Sequence, residues 1–225
     1  MKQLLLDIRL PTVPSLINFV PGSNHELVQL LKRILVNQEK ERFVYIWGKI
    51  GCGKSHLLQA VVEYYIQIER KAWYFPGEIT QESQLTDDLG CLAVDDVERL
   101  DNDAQIQLFK IYNQLRNDGN AYLLVSGTVA PSQLKLRQDL VTRLGWGLVY
   151  QVHELTEDEK IKAMQNHAIE RGFDLRKEIC QYLLRHTQRD LPSLLMILDA
   201  LDRYSLIQKR QITIPLLKEL LQGVS

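Results

Sequence analysis

The chain has 225 residues, is 45% apolar, and carries 27 basic against 28 acidic side chains, for a formal net charge of −1. That is enough chain for one large domain or for a domain with a smaller companion, and enough apolar content for a real core. Near-neutral, intermixed charge argues against a dedicated nucleic-acid-binding domain, and no stretch nears the ~20 apolar residues of a membrane span.

The first residues hold a Leu4-Leu5-Leu6 run broken by Asp7 and Arg9, too short for a secretory signal. Phe43-Val44-Tyr45-Ile46-Trp47 reads as a buried strand and leads into Gly48-Lys49-Ile50-Gly51-Cys52-Gly53-Lys54-Ser55. That stretch has the form G-x-x-x-x-G-K-S, and His56 to Glu69 after it is helix-compatible. A strand, a glycine turn and a helix start are what a phosphate-binding loop needs. Glycines let successive N–H groups point inward, and the helix start adds unpaired donors and a positive dipole end. Lys54 would reach the terminal phosphates, and Ser55 would hold Mg2+. Gly48, Gly51, Cys52, Gly53 and His56 complete the expected phosphate segment.

Ala72 to Phe75 is a short aromatic strand ended by Pro76-Gly77, and Glu78 to Asp88 a polar loop. Cys91-Leu92-Ala93-Val94-Asp95-Asp96 is an apolar strand ending in paired acids, a Walker B pattern. Beside the phosphate loop, Asp95 is expected to hold Mg2+ through water, and Asp96 to orient or deprotonate an attacking water. Glu98 is a lesser candidate for that last role. Asp103 to Asn117 has helical apolar spacing, Ala121 to Val125 is the next strand, and Leu148 to Val152 the last. The alternation implies a mainly parallel sheet with helices on both faces, hence an α/β fold.

Beyond residue 152 the pattern turns helical. Thr156 to Glu159 spells a capping box ahead of Ile161, Met164 and Ala168. Further helices are expected from Leu175 to His186, from about Asp190, and after Thr213-Ile214-Pro215. A small helical bundle of this kind beside a nucleotide-binding sheet reads as a lid. Cys52, Cys91 and Cys180 lack ligand spacing, so neither a metal cluster nor a disulfide framework is expected, and a reducing cytoplasm is the natural setting. Cys52 reads as a small loop residue in preference to an acidic thiol.

Asp139 to Gly147 follows the polar strand end Ser126-Gly127-Thr128 and contains Arg143 ahead of Gly145-Trp146-Gly147. The order of phosphate loop, Walker B, polar strand end and arginine before Gly-Trp-Gly resembles the AAA+ ATPases of the bacterial initiator branch. Asn18 to Asn24 is similar to that branch's base-binding segment, which implies adenine contacts at Phe19, Val20 and Asn24. Ala200 to Arg203 and Thr213 to Pro215 extend the resemblance, which within the branch is to the Hda-type regulatory inactivators of the DnaA initiator.

The resemblance implies a three-layer AAA+ nucleotide-binding domain over 15–153 and a helical lid over 154–225. Residues 1–14 would form a tail in which Gln3, Leu4, Leu6 and Ile8 bind the sliding clamp, the beta subunit of DNA polymerase III, as an extended peptide. Asp7 stands where that peptide often has proline, implying lower clamp affinity. Arg143 is implied to be an arginine finger acting in trans on ATP held by DnaA. Ser126 or Thr128 would be sensor 1. Pro192 falls where sensor 2 arginine usually stands, with Arg189 three residues earlier as a substitute. The implied ligands are ADP or ATP with Mg2+, with weak intrinsic ATPase activity. A helix-turn-helix domain like the initiator's is not expected, so neither is strong direct DNA binding; a homodimer through AAA+ faces stays open. The competing reading is an autonomous AAA+ ATPase of the DnaC helicase-loader type.

Overall fold

The computed structural model describes residues 13–79, 89–118 and 120–222. The expected clamp-binding residues Gln3, Leu4, Leu6 and Ile8, and most of the polar loop before Asp88, lie outside the described residues. The chain divides between Glu154 and Leu155 into two compact units.

In the first unit, α1 (His25–Leu35) precedes β1 (Phe43–Trp47), α2 (Lys54–Gln67) and β2 (Lys71–Pro76). Then come β3 (Leu89–Asp95), a 3-10 turn (Val97–Arg99), α3 (Asn102–Asp118) and β4 (Tyr122–Gly127). A second 3-10 turn (Pro131–Gln133), α4 (Gln138–Leu144) and β5 (Leu148–Gln151) complete it. The strands form one parallel sheet in the order β2-β3-β4-β1-β5.

Successive strand residues point to opposite faces, and both faces are covered. Tyr45, Leu92, Val94, Leu123 and Val125 pack with α3 and α4 residues such as Leu108, Tyr112 and Leu140. Their neighbours Val44, Ile46, Cys91, Ala93, Tyr122 and Leu124 pack with Leu30, Ile34, Leu57 and Val61 of α1 and α2. Central β3 and β4 are therefore buried along their whole length, which is why they read as continuous apolar runs. The edge strands β2 and β5 alternate in exposure.

β3 does not lie next to β1, because β4 runs between them. The tip of β4 therefore lies between the acidic strand end and the phosphate loop, with Gly48 N–H donating to Gly127 O at 3.2 Å and Ser126 bonding the acidic pair. The last strand ends at Gln151, one residue earlier than expected, although the Val152 N–H still bonds Trp47 O at 2.7 Å.

The second unit comprises α5 (Glu157–Glu170), α6 (Lys177–His186), α7 (Leu191–Gln208) and α8 (Ile214–Gln222). Its core joins Ile161, Met164, Cys180, Leu183, Leu194, Leu198, Leu201 and Leu217. The Thr156–Glu159 capping box forms reciprocally at the start of α5. None of the described helices is long and apolar enough to cross a membrane.

Candidate functional site

The glycine loop leaves β1 at Gly48 and enters α2 at Lys54. Gly51 and Gly53 adopt φ of 83° and 102°, the left-handed region that side chains avoid. Gly53 is also pressed by the Phe19 ring, whose Cε2 would lie 2.8 Å from an added Cβ. Gly53 O accepts the first helical bond, from Leu57 N–H, and no side chain caps the helix. The first-turn N–H groups are thus left for an anion.

Lys54 is buried at 5% exposure, with Nζ donating to Gly48 O at 2.9 Å and Lys49 O at 3.2 Å. The ammonium lies inside the loop it would share with a phosphate. Cys52 is also buried, and burial pushes its thiol up despite the nearby Lys54 charge, so it is a packing residue. Lys49 is exposed and lies 3.9 Å from Glu154.

The base segment packs against the start of α2. Phe19 meets the His56 ring at 5.6 Å between centroids, and His56 Nε2 donates to Ser15 O at 2.9 Å. Val20 is half-buried. Asn24 is buried, and its amide is fully engaged. Nδ2 donates to Pro21 O and His153 O, while Oδ1 accepts from His153 N–H at 2.7 Å. Asn24 therefore ties the segment to the chain just after β5.

At the far side of β4, Asp95 is 3% exposed. Its Oδ2 accepts from the Tyr74 hydroxyl at 2.6 Å, and its Oδ1 from the Ser126 hydroxyl. Ser126 Oγ in turn accepts the Asp96 N–H at 3.0 Å. Asp96 has left-handed backbone angles, and burial, then the Asp95 charge, raise its carboxyl pKa. The two sensor 1 candidates separate here. Ser126 joins the acidic pair, whereas Thr128 donates both its N–H and its hydroxyl (2.8 Å) to Glu98 Oε1. Glu98 Oε2 is buried without a hydrogen-bond partner.

These residues fit a phosphate-bearing ligand with a hard cation. The loop offers N–H groups and an ammonium, and Ser55 with Asp95 offers oxygen donors. Mg2+ at phosphates takes only one or two carboxylates, and no cluster of three metal-ligating side chains occurs among the described residues. Tyr74 was not legible as a site residue. In the sequence it belongs to an apolar aromatic strand, and only the pairing of β2 with β3 brings it to Asp95.

Arg143 lies in the last turn of α4. Its guanidinium carbon sits 4.2 Å from the Trp146 ring centroid, 5.7 Å from Phe109 and 5.8 Å from Tyr112. Arg116 stacks on the same indole at 4.8 Å. Among the described residues no carboxylate forms an ion pair with Arg143. In the second unit, Pro192 occupies the first turn of α7 behind the Asp190 cap, and Arg189 lies 3.9 Å from Glu157.

Residues 157–221 match the family described as Hda, lid domain. Domain III of the Thermotoga maritima replication initiation protein DnaA is similar over 96% of this chain and 98% of its own, with 20% identity and a TM-score of 0.73. AMPPCP-bound DnaA from Aquifex aeolicus is 22% identical over 85% of this chain and 65% of its own, with a TM-score of 0.69. A single-residue variant of Thermotoga maritima RuvB is 15% identical over 93% of this chain and 72% of its own, with a TM-score of 0.66. The likeness fixes the α/β AAA+ fold with a helical C-terminal lid.

Proposed function

We propose that the chain, whose residues 157–221 match the Hda lid-domain family and whose fold is that of DnaA domain III, is a negative regulator of replication initiation. It binds ADP or ATP with Mg2+ and, together with the DNA-loaded sliding clamp, stimulates hydrolysis of DnaA-bound ATP. Arg143 acts there in trans.

One observation carries the reading. The Arg143 guanidinium rests on the half-exposed Trp146 indole with no carboxylate partner among the described residues. Among the described residues no carboxylate neutralises this guanidinium, so its charge is available to an outside anion, on a ring that holds the guanidinium plane. At a transferring phosphoryl group such a charge offsets the negative charge that builds in the transition state, an effect of about 10³–10⁵ in rate in GTPases.

The chain's own site does less. The loop, Lys54 and the start of α2 bind phosphates, Ser55 and Asp95 hold the cation, and Asp96 takes the water-facing position. The cation, when bound, neutralises charge on phosphate oxygens. With proline at 192 no sensor 2 guanidinium stands there, so the isolated protein turns over its own ATP slowly. The nucleotide then acts as a structural ligand of a regulator that moves between clamp and initiator in the cytoplasm.

The test mixes ATP-loaded DnaA, DNA-loaded clamp and this protein, omitting each in turn. Arg143→Ala is expected to abolish stimulation while leaving nucleotide affinity unchanged. Stimulation at the parent rate removes the finger assignment. Retention on purified clamp, with and without residues 1–10, checks the tail. Rapid ATP turnover by the protein alone would favour a helicase loader instead.

A further inference from the structure

We infer that Tyr74 is a positioning residue for the cation at the nucleotide site, its hydroxyl holding the Asp95 carboxylate in place. The inference rests on the proposed reading of Asp95 and Ser55 as the cation's protein ligands.

The Tyr74 hydroxyl reaches from β2 to the end of β3, beside the start of α2. It donates to Asp95 Oδ2 at 2.6 Å, at the end of β3. The side chains of Ser55 and Gln59, both on α2, lie near the same hydroxyl. The ring is half-buried against the core layer of α1 and α2, so the hydroxyl's position is fixed by packing. Pro76 pairs in register with Asp95, which puts Tyr74 two residues back along β2 on the face toward α2. A tyrosine spans that distance, and a shorter hydroxyl side chain does not.

The charge balance explains why a phenol suits the place. Asp95 is almost wholly buried, and both carboxylate oxygens are satisfied, one by Tyr74 and one by Ser126. Both donors are neutral. An arginine or lysine there would consume the carboxylate's charge and compete with the cation. Hydroxyl donors fix the carboxylate plane and leave its full negative charge for a metal-bound water. They can also rotate their hydrogen toward another acceptor when that water arrives. Outer-shell partners of this kind typically change metal affinity by about 10–100-fold.

The probe is a fluorescent ADP analogue titrated onto the full chain, once in EDTA and once against rising Mg2+. Tyr74→Phe keeps the ring and its packing. The expected result is a Mg2+ half-saturation point raised about tenfold, with metal-free nucleotide affinity and melting unchanged. Ser126→Ala, which frees the other oxygen, should raise it as well. Equal losses in EDTA and in Mg2+ would make Tyr74 merely structural and overturn the inference. A Tyr74→Phe profile matching the parent's, while the parent gains from Mg2+, removes Tyr74 alone. A parent that gains nothing from Mg2+ removes the cation site and Tyr74 together.

Discussion

Asp96 holds φ 49° and ψ 56°, a conformation that asparagine and aspartate tolerate better than most residues. Burial and the adjacent Asp95 charge raise its carboxyl pKa above the ordinary aspartate value. A raised folded-state pKa means the folded chain holds that proton more tightly than the unfolded chain. The linked stability is present below the unfolded pKa and is lost as pH climbs through the folded one. Asp96→Asn should therefore melt above the parent at pH 7, by about a degree or two. The gap should close as pH falls through the carboxylate range, and melting curves across that range give the answer. A gap constant with pH would assign the effect to packing instead. The residues around Asp96 also mark what a sequence can reveal. The phosphate loop and the acidic pair are local strings, readable because their chemistry lies in adjacent residues. Tyr74, and the division of labour between Ser126 and Thr128, depend on which strands are neighbours, and no local string encodes that.

The start of α2 is the element on which the site turns. Gly53 combines φ 102° with the Phe19 ring against its face, so Gly53→Ala meets both a backbone penalty and a clash. The backbone part alone is about 1–2 kcal/mol. Melting should fall by several degrees, and affinity for a fluorescent nucleotide should fall with it, because the first-turn N–H groups shift. Adding Phe19→Ala relieves the clash and leaves the φ penalty, so the double variant should recover part of the melting loss. No recovery would mean that Phe19 does not set the geometry of this turn. Elements differ in legibility for physical reasons. The continuous apolar runs of β3 and β4 are visible because both faces are buried. The helix α1 is not among the expected elements, although Leu27, Val28, Leu30, Leu31 and Ile34 follow helical spacing and are buried. No side chain caps its start, and the base segment ending at Asn24 runs straight into it, so no local stop marks where one becomes the other. The strand order is not readable from periodicity at all, and the place of β4 between β1 and β3 comes from the structure alone.

At the scale of the molecule, charge decides what the protein does not hold directly. Acidic and basic side chains are nearly equal in number. A few of the bases are engaged by carboxylates on the same unit, as Arg33 is by Glu39, Arg137 by Asp139, Arg171 by Asp199 and Arg210 by Glu219. Affinity for a polyanion grows with the number of phosphates neutralised, because each releases bound counterions. A chain whose acidic and basic side chains are balanced and intermixed presents few cations together. Fluorescence anisotropy with a short duplex should show no saturation below about 10 μM protein near ~50 mM salt. Submicromolar binding with a steep salt slope would reveal a basic face and overturn this expectation. A regulator without affinity for DNA of its own must be carried there, and in the proposed function the DNA-loaded clamp does the carrying. Weak DNA binding by the isolated chain together with firm retention on loaded clamp is the combination that the proposed function requires, with Arg143 idle until the initiator is near.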